Sequence, residues 1–182
     1  MDSMTELINA GAPPRPGLGE LARRIEPRAR QRDDPVTVAR QVAEVLTELN
    51  PGPELLTEEE RAGSPDGYTR HTLYTDPDFS ISAVVWRPGQ VTEIHDHLVW
   101  CSFIVLQGTE TETLYDIDGD RLVEVGELRR PAGSVSGVAP PDDIHRVRNT
   151  GDTVAITLHV YGADLSRRTS VRRIYHQTGE KN

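Results

Sequence analysis

His95 and His97 stand two residues apart in the run "EIHDHLVWCSFIVLQG", and Cys101, the only cysteine of the chain, follows in the same run. In an extended segment, side chains two apart share a face, so both imidazoles project one way and Asp96 the other. By the same odd parity, and with no bulge between, Cys101 is expected on their side. A third histidine, His145, lies between the turn-like "APPDDI" and "RVRN". Three imidazoles can take one face of a divalent metal and leave the other positions open to a substrate. Neutral ligands leave the ion its full double charge, which favours a thiolate and keeps a coordinated thiol deprotonated. With Fe(II) such a site could bring a thiol and O2 together, with both oxygen atoms ending on sulfur as a sulfinate. Zinc, which has no accessible redox change, could not. The competing readings are zinc or nickel on the same histidines, and histidines that are simply hydrogen-bonded in a core.

These side chains need a scaffold, and the texture of the chain after about residue 67 describes one. Short β-rich runs alternate with turn signals: "FSISAVVW", "RPGQ", "CSFIVLQ", "ETLYDI", "DGDR" and "TVAITLHVY". Strands at that spacing predict an all-β barrel or jelly roll. Ahead of them, residues 18–50 read as helical. Asp34 is placed as N-cap with Pro35 at the first helical position, and Val38, Val42, Val45, Leu46 and Leu49 form an apolar stripe that "NPGP" stops. Residues 1–17, rich in Pro and Gly, are expected to be a flexible tail. The helical region 18–60 is expected to form a single domain with the β-barrel of residues 61–182.

Composition excludes several classes of function. There are 20 Lys and Arg against 29 Asp and Glu, a formal net charge of −9 over 182 residues, so nucleic acid and anionic membrane surfaces are not expected partners. The arginine-rich run from Arg23 to Arg32 reads as the solvated face of a helix. A single cysteine leaves no internal disulfide and fits a reducing cytoplasm. The N-terminus lacks the basic and apolar regions of a signal peptide, and no apolar run is long enough to span a bilayer. A monomer or weak homo-oligomer is expected.

The pattern around the histidines resembles the cupin signature, Gly-x5-His-x-His-x3/4-Glu-x6-Gly. Gly89, His95, His97 and Gly108 keep its spacing, and Cys101 replaces the usual glutamate. In the second, looser motif Pro140, His145 and Asn149 keep their places, while Asp142 stands where glycine is usual. Cysteine for glutamate is similar to the thiol dioxygenases, in particular the cysteine dioxygenase family, and the resemblance runs over residues 67–176. It implies a cupin jelly-roll β-barrel with a small helical N-terminal region, and Fe(II) held by His95, His97 and His145. "GYTRHTLY" is similar to the segment that carries the carboxylate-binding arginine, which gives that role to Arg70, with Tyr68 a further candidate. "TLHVY" is similar to a Ser-x-His-x-Tyr segment, which implies a hydrogen-bonded relay of Thr157, His159 and Tyr161. Alternation along a strand puts those three on one face, where polar groups need partners. The resemblance also aligns Cys101 with a cysteine that forms a thioether to the relay tyrosine, here Tyr161. Of the arginines after Tyr161, Arg173 is the candidate for a second carboxylate contact.

The implied reaction converts L-cysteine and O2 to cysteine sulfinic acid. The interval "HDHLVWC" resembles the bacterial branch that includes 3-mercaptopropionate dioxygenases. That branch often has Gly in place of Cys101, and its mercaptopropionate members often carry Gln in place of Arg70. Oxidation of 3-mercaptopropionate or another small thiol therefore stays open, as does a non-enzymatic metal-binding cupin. His71 and His176 are read as surface or structural residues. Trp86 and Trp100 are read as core, with Trp100 able to line a pocket.

Overall fold

The computed structural model describes residues 13–141 and 143–176. Residues 1–12 of the expected tail, and Asp142 of the second motif, lie outside them. Three α-helices precede ten strands: α1 (Leu18–Ala29), α2 (Pro35–Leu49) and α3 (Glu58–Arg61), with a 3-10 turn at Pro53–Leu55. The strands are β1 (Thr69–Thr75), β2 (Ser80–Trp86), β3 (Ile94–His97), β4 (Cys101–Gln107), β5 (Thr109–Asp118), β6 (Arg121–Pro131), β7 (Val135–Val138), β8 (His145–Arg148), β9 (Ala155–Tyr161) and β10 (Val171–Tyr175). They form two antiparallel five-stranded sheets, in the orders β1-β2-β9-β4-β7 and β10-β3-β8-β5-β6. The molecule is mostly β, as the strand spacing predicts.

Helix α2 begins where its sequence requires. The Asp34 carboxylate accepts from the Thr37 amide at 3.0 Å, Pro35 sits at the first position, and Asn50 closes the helix in the left-handed region. Leu21, Ile25, Val38, Val42 and Leu46 carry the buried faces of α1 and α2 into one core with residues of the first sheet. The arginines of α1 face outward, with Arg23 paired to Glu20 and Arg24 to Glu48, while Arg30 just beyond it pairs with Asp78. Arg15 is held by a forked pair to Glu60 at 2.9 and 2.8 Å and by the Leu55 carbonyl at 2.7 Å. No helix among the described residues is long and apolar enough to cross a membrane.

The helices decide which way the first sheet faces. Ile104 and Leu106 of β4, and Ile156, Leu158 and Val160 of β9, join the helix-facing core. The alternate residues Cys101, Phe103, His159 and Tyr161 are left to line the interior between the sheets. Both faces of these strands are therefore buried, which explains why they read as apolar runs rather than a clean alternation. The Gly108 turn adopts φ +75°, and a Cβ there would lie 2.8 Å from the Ala155 Cα, so the signature glycine answers both a conformational and a steric need.

At Gly137 of β7 the sheet touches helix α2 backbone to backbone. A Cβ there would come 2.7 Å from the Ala39 carbonyl oxygen and 2.8 Å from its carbon. Ser102 of β4 donates to the same oxygen at 2.6 Å. Gly137→Ala must push the helix off the sheet, at an expected cost of ~1–3 kcal/mol. Urea unfolding of the two proteins measures this, and an unchanged midpoint would show that the helix does not seat on β7.

Candidate metal centre

Strands β3 and β8 are neighbours in the second sheet, and His95 lies directly opposite His145 in their register. His97 follows two residues on, on the same face. The three rings are 4.7–5.1 Å apart centroid to centroid, and one ring nitrogen from each lies within 4.8 Å of the others. All three residues are buried.

A neutral imidazole has one N–H and one lone pair, so the partner of one nitrogen decides what the other can do. His95 Nδ1 lies 2.9 Å from the Glu93 carbonyl, His97 Nδ1 2.8 Å from the Asp143 carboxylate and His145 Nδ1 2.8 Å from the Glu112 carboxylate. All three partners are acceptors, so each Nδ1 carries the hydrogen and each Nε2 keeps its lone pair. The Nε2 of His145 is buried with no hydrogen-bond partner at all. An unpaired buried acceptor costs about 1–3 kcal/mol, and a divalent cation shared with the other two would satisfy it. Outer-nitrogen acceptors of this kind orient ligating histidines. The donor set fits a divalent metal.

Electrostatics keep the site neutral and ready. Burial, with His145 alongside, pushes the His95 imidazole down to about 4. Burial also lowers His97, against the opposing hydrogen bond to Asp143. Burial alone would raise the Glu112 carboxyl, but His145 and Arg130 hold it down to about 2, and Arg130 Nε donates to it at 2.7 Å. Both second partners were hidden from sequence reading. Asp143 stands two residues before His145 and was passed over as part of a turn. Glu112 has no spacing signal, because only the β5–β8 pairing brings it close.

The histidines open into a cavity of about 190 Å³ that Tyr68, Arg70, Cys101, His159 and Tyr161 also line. Arg70 stands at the exposed side with its guanidinium 5.3 Å over the Tyr161 ring, and Tyr68 packs on Trp86 at 4.6 Å. Trp86, not Trp100, lines this space. Thr157 lies behind His159, its hydroxyl 2.9 Å from Nε2. The expected relay changes direction after that link. The Tyr161 ring stacks on His159 at 5.7 Å and 7°, and Ser170, a residue the sequence did not single out, lines the same cavity. Two residues apart on one strand face, the flat rings lie side by side rather than end to end.

Cys101 reaches the cavity by a different route from the one parity implies. The chain leaves the second sheet after His97 and enters the first at Cys101, so the register does not carry across the corner, yet the inner face of β4 presents the thiol. Cys101 and Tyr161 are directly opposed across β4 and β9. Burial raises both the thiol and the phenol well above their ordinary values, so both are neutral.

Arg173 is not brought to the cavity. A register shift between Val171 and Arg173, where β10 pairs with β3, sets Val171 and the half-exposed Ile174 at the cavity wall and leaves Arg173 over the Tyr175 ring. Its neighbour Arg172 pairs with the buried Asp96, which also accepts from the Tyr175 hydroxyl at 2.7 Å. The expected second carboxylate contact is therefore withdrawn. His71 bonds locally to Thr69 at 3.3 Å and lies near Glu60, and His176 is exposed.

A family model described as "Cysteine dioxygenase type I" matches residues 62–173. Among solved structures, a cupin superfamily protein of Desulfitobacterium hafniense is 16% identical over 60% of this chain and 85% of its own, at a TM-score of 0.45. Oxalate decarboxylase of Bacillus subtilis is 21% identical over 56% of this chain and 27% of its own, at 0.46. A cupin 2 conserved barrel domain protein of Salinispora arenicola is 23% identical over 52% and 74%, at 0.41.

Removing a clamp tests whether it serves a metal. Asp143→Asn should weaken zinc binding tenfold to a hundredfold, whereas His97→Ala should abolish it. Titration calorimetry with zinc reads both, and native affinity in Asp143→Asn would remove that carboxylate from the centre.

Proposed function

The chain belongs to the cysteine dioxygenase type I family, and on that premise we propose that it oxidises L-cysteine with O2 to cysteine sulfinic acid at an Fe(II) held by His95, His97 and His145. The observation that carries this reading is the meeting, in one small cavity, of three clamped imidazoles with Arg70 at its mouth. Iron bound there would supply the one-electron chemistry that thiol and O2 need to react. The balance is R–SH + O2 → R–SO2⁻ + H⁺.

The chain's own residues bind and orient. Arg70 would take the substrate carboxylate through a two-pronged charged pair. The Tyr161 phenol, kept neutral by burial, has a proton to donate to an oxygen in the cavity. His159, held neutral at about 3 by burial, is fixed from behind by Thr157. Phe103 stacks on the His159 ring at 5.6 Å and, with Val84, Val138 and Val147, makes the remaining wall apolar and limits water. The small volume favours a substrate of amino-acid size. A reducing cytoplasm is the proposed compartment, on the strength of the one unpaired thiol.

We further propose that Cys101 and Tyr161 join in a thioether. A bond would form between sulfur and the ring carbon beside the phenol oxygen, the S–H and C–H bonds would break, and O2 would take the two electrons and two protons. Their opposed positions across β4 and β9 support it. The bond would lock the phenol's direction.

Two measurements follow. The iron-loaded protein should consume O2 with L-cysteine, and Arg70→Gln should raise its apparent KM roughly 10- to 150-fold, as expected for a charged contact of ~1.5–3 kcal/mol. Cysteamine, without a carboxylate, should be affected much less. Equal losses on both thiols would remove Arg70 as the anchor, and turnover of 3-mercaptopropionate alone would reassign the substrate. Peptide mass spectrometry after turnover should find a Cys101–Tyr161 species lighter by two hydrogens; only free Cys101 after many turnovers would leave the thiol as packing.

A further inference from the structure

Two of the acceptors that hold the metal centre from behind face a second cavity. It measures about 820 Å³ and is lined by the β7–β8 loop, the β5–β6 hairpin and β10. Glu112 and Asp143, the partners of His145 and His97, border this space and not the first cavity. His145 and Val138 stand in the partition between the two. The thiol reaction makes no use of the second space.

Three features of its wall lack partners in the protein. Asp143 Oδ2 accepts from the His97 amide at 3.2 Å and lies 2.8 Å from His97 Nδ1, while Oδ1 has no partner at all. That side chain is 2% exposed, so the orphan oxygen needs a donor brought to it. Of the three arginines in the wall, Arg130 is paired with Glu112 and Arg172 with Asp96. Arg173 pairs with no carboxylate among the described residues, and its guanidinium lies 5.7 Å over the Tyr175 ring. Ile117, Val125 and Leu128 add exposed aliphatic surface to the same wall.

We propose that this cavity is a second ligand site, for a zwitterionic α-amino acid with a large aliphatic side chain. One such molecule meets all three needs. Its ammonium donates to Asp143 Oδ1, its carboxylate pairs with Arg173, and its side chain covers Ile117, Val125 and Leu128. A water molecule satisfies only the first, a simple carboxylic acid leaves Asp143 unmet, and a simple amine leaves Arg173 unmet. Small-molecule sites usually have this form, roughly 300–1,000 Å³ with an apolar wall and a few placed polar groups. Arg173 meets this ligand outside the metal cavity, so its contact with the thiol substrate stays withdrawn.

Occupancy is felt at the metal centre through the shared carboxylate. An ammonium on Oδ1 draws charge from Asp143 and weakens Oδ2 as the acceptor of the His97 Nδ1–H bond. The Nε2 lone pair of His97 then becomes a poorer ligand for a cation. The ammonium also brings a positive charge close behind that ring. Both effects have the same sign, so amino acid and metal oppose each other. By linkage each weakens the other's binding by the same factor. The site stands apart from the thiol dioxygenase reading, because any divalent ion on the three histidines would feel it.

The test is titration calorimetry of L-leucine into the zinc-loaded full chain. One-to-one binding is expected, saturating below about 10 mM. Arg173→Ala, a substitution at an exposed position, should weaken it roughly tenfold or more, and so should loss of either ligand charge in 3-methylbutylamine or 4-methylpentanoate. Arg70→Gln, in the wall of the first cavity, should bind L-leucine with native affinity. In the chain labelled with nitrogen-15 at histidine, the Nδ1–H proton signal that His97→Gln removes should move upfield as L-leucine binds. No saturable heat, or native affinity in Arg173→Ala, overturns the proposal. Loss of binding in Arg70→Gln, which would put the leucine on the metal, overturns it too, as does an unmoved His97 proton. If no thiol supports O2 uptake, the thiol reading fails while the leucine titrations still decide the second site.

Discussion

An imidazole with one nitrogen already bound has one thing left to offer, and the centre of this protein is built on that constraint. Glu93, Asp143 and Glu112 each occupy an Nδ1, so three lone pairs are left on three buried rings that face one another. Left alone, that arrangement is costly, as the unpartnered Nε2 of His145 shows. A divalent cation would resolve it. The acceptors come from three separate places: the lead-in to β3, the turn before β8 and the strand β5. Much of the second sheet therefore exists, from this point of view, to bring those acceptors to one edge of the cavity.

The first sheet performs the complementary task. Its even residues in β4 and β9 sit under α1 and α2, and this coverage frees the odd residues to be polar and to face inward. Without the helices, Ile104, Leu158 and Val160 would face water, and the strands would gain by turning over. The N-terminal helices thus help to fix the inward facing of Cys101, His159 and Tyr161 from the opposite side of the sheet. Burial then sets their chemistry: the thiol and phenol are protonated and His159 is neutral, with the Arg70 guanidinium over the Tyr161 ring at the mouth.

What the sequence disclosed followed from local periodicity. The His-x-His pair, the Thr157–His159–Tyr161 face, the Asp34 cap and the mostly-β class all depend on residues within one element. Contacts made across elements were out of reach. Glu112 becomes meaningful only when β5 pairs with β8. Parity brought Cys101 to the right cavity, but the chain changes sheets before reaching it, so the agreement came from the barrel closing on itself. Arg173 was misplaced because a register shift in β10 inverts the facing of the residues after it. β6, with its mixed and largely exposed residues, carried too weak a pattern to be read.

The central claim is that three imidazoles hold an iron whose remaining positions receive a thiol from outside the protein. Iron K-edge X-ray absorption of the Fe(II)-loaded chain, recorded without O2 before and after L-cysteine is added, addresses it most directly. The expected result is an imidazole-only protein ligand set with no sulfur before the thiol, and one new sulfur neighbour after it. Sulfur bound before any thiol is present, which would make Cys101 a ligand, or no sulfur after saturation with thiol, would contradict it.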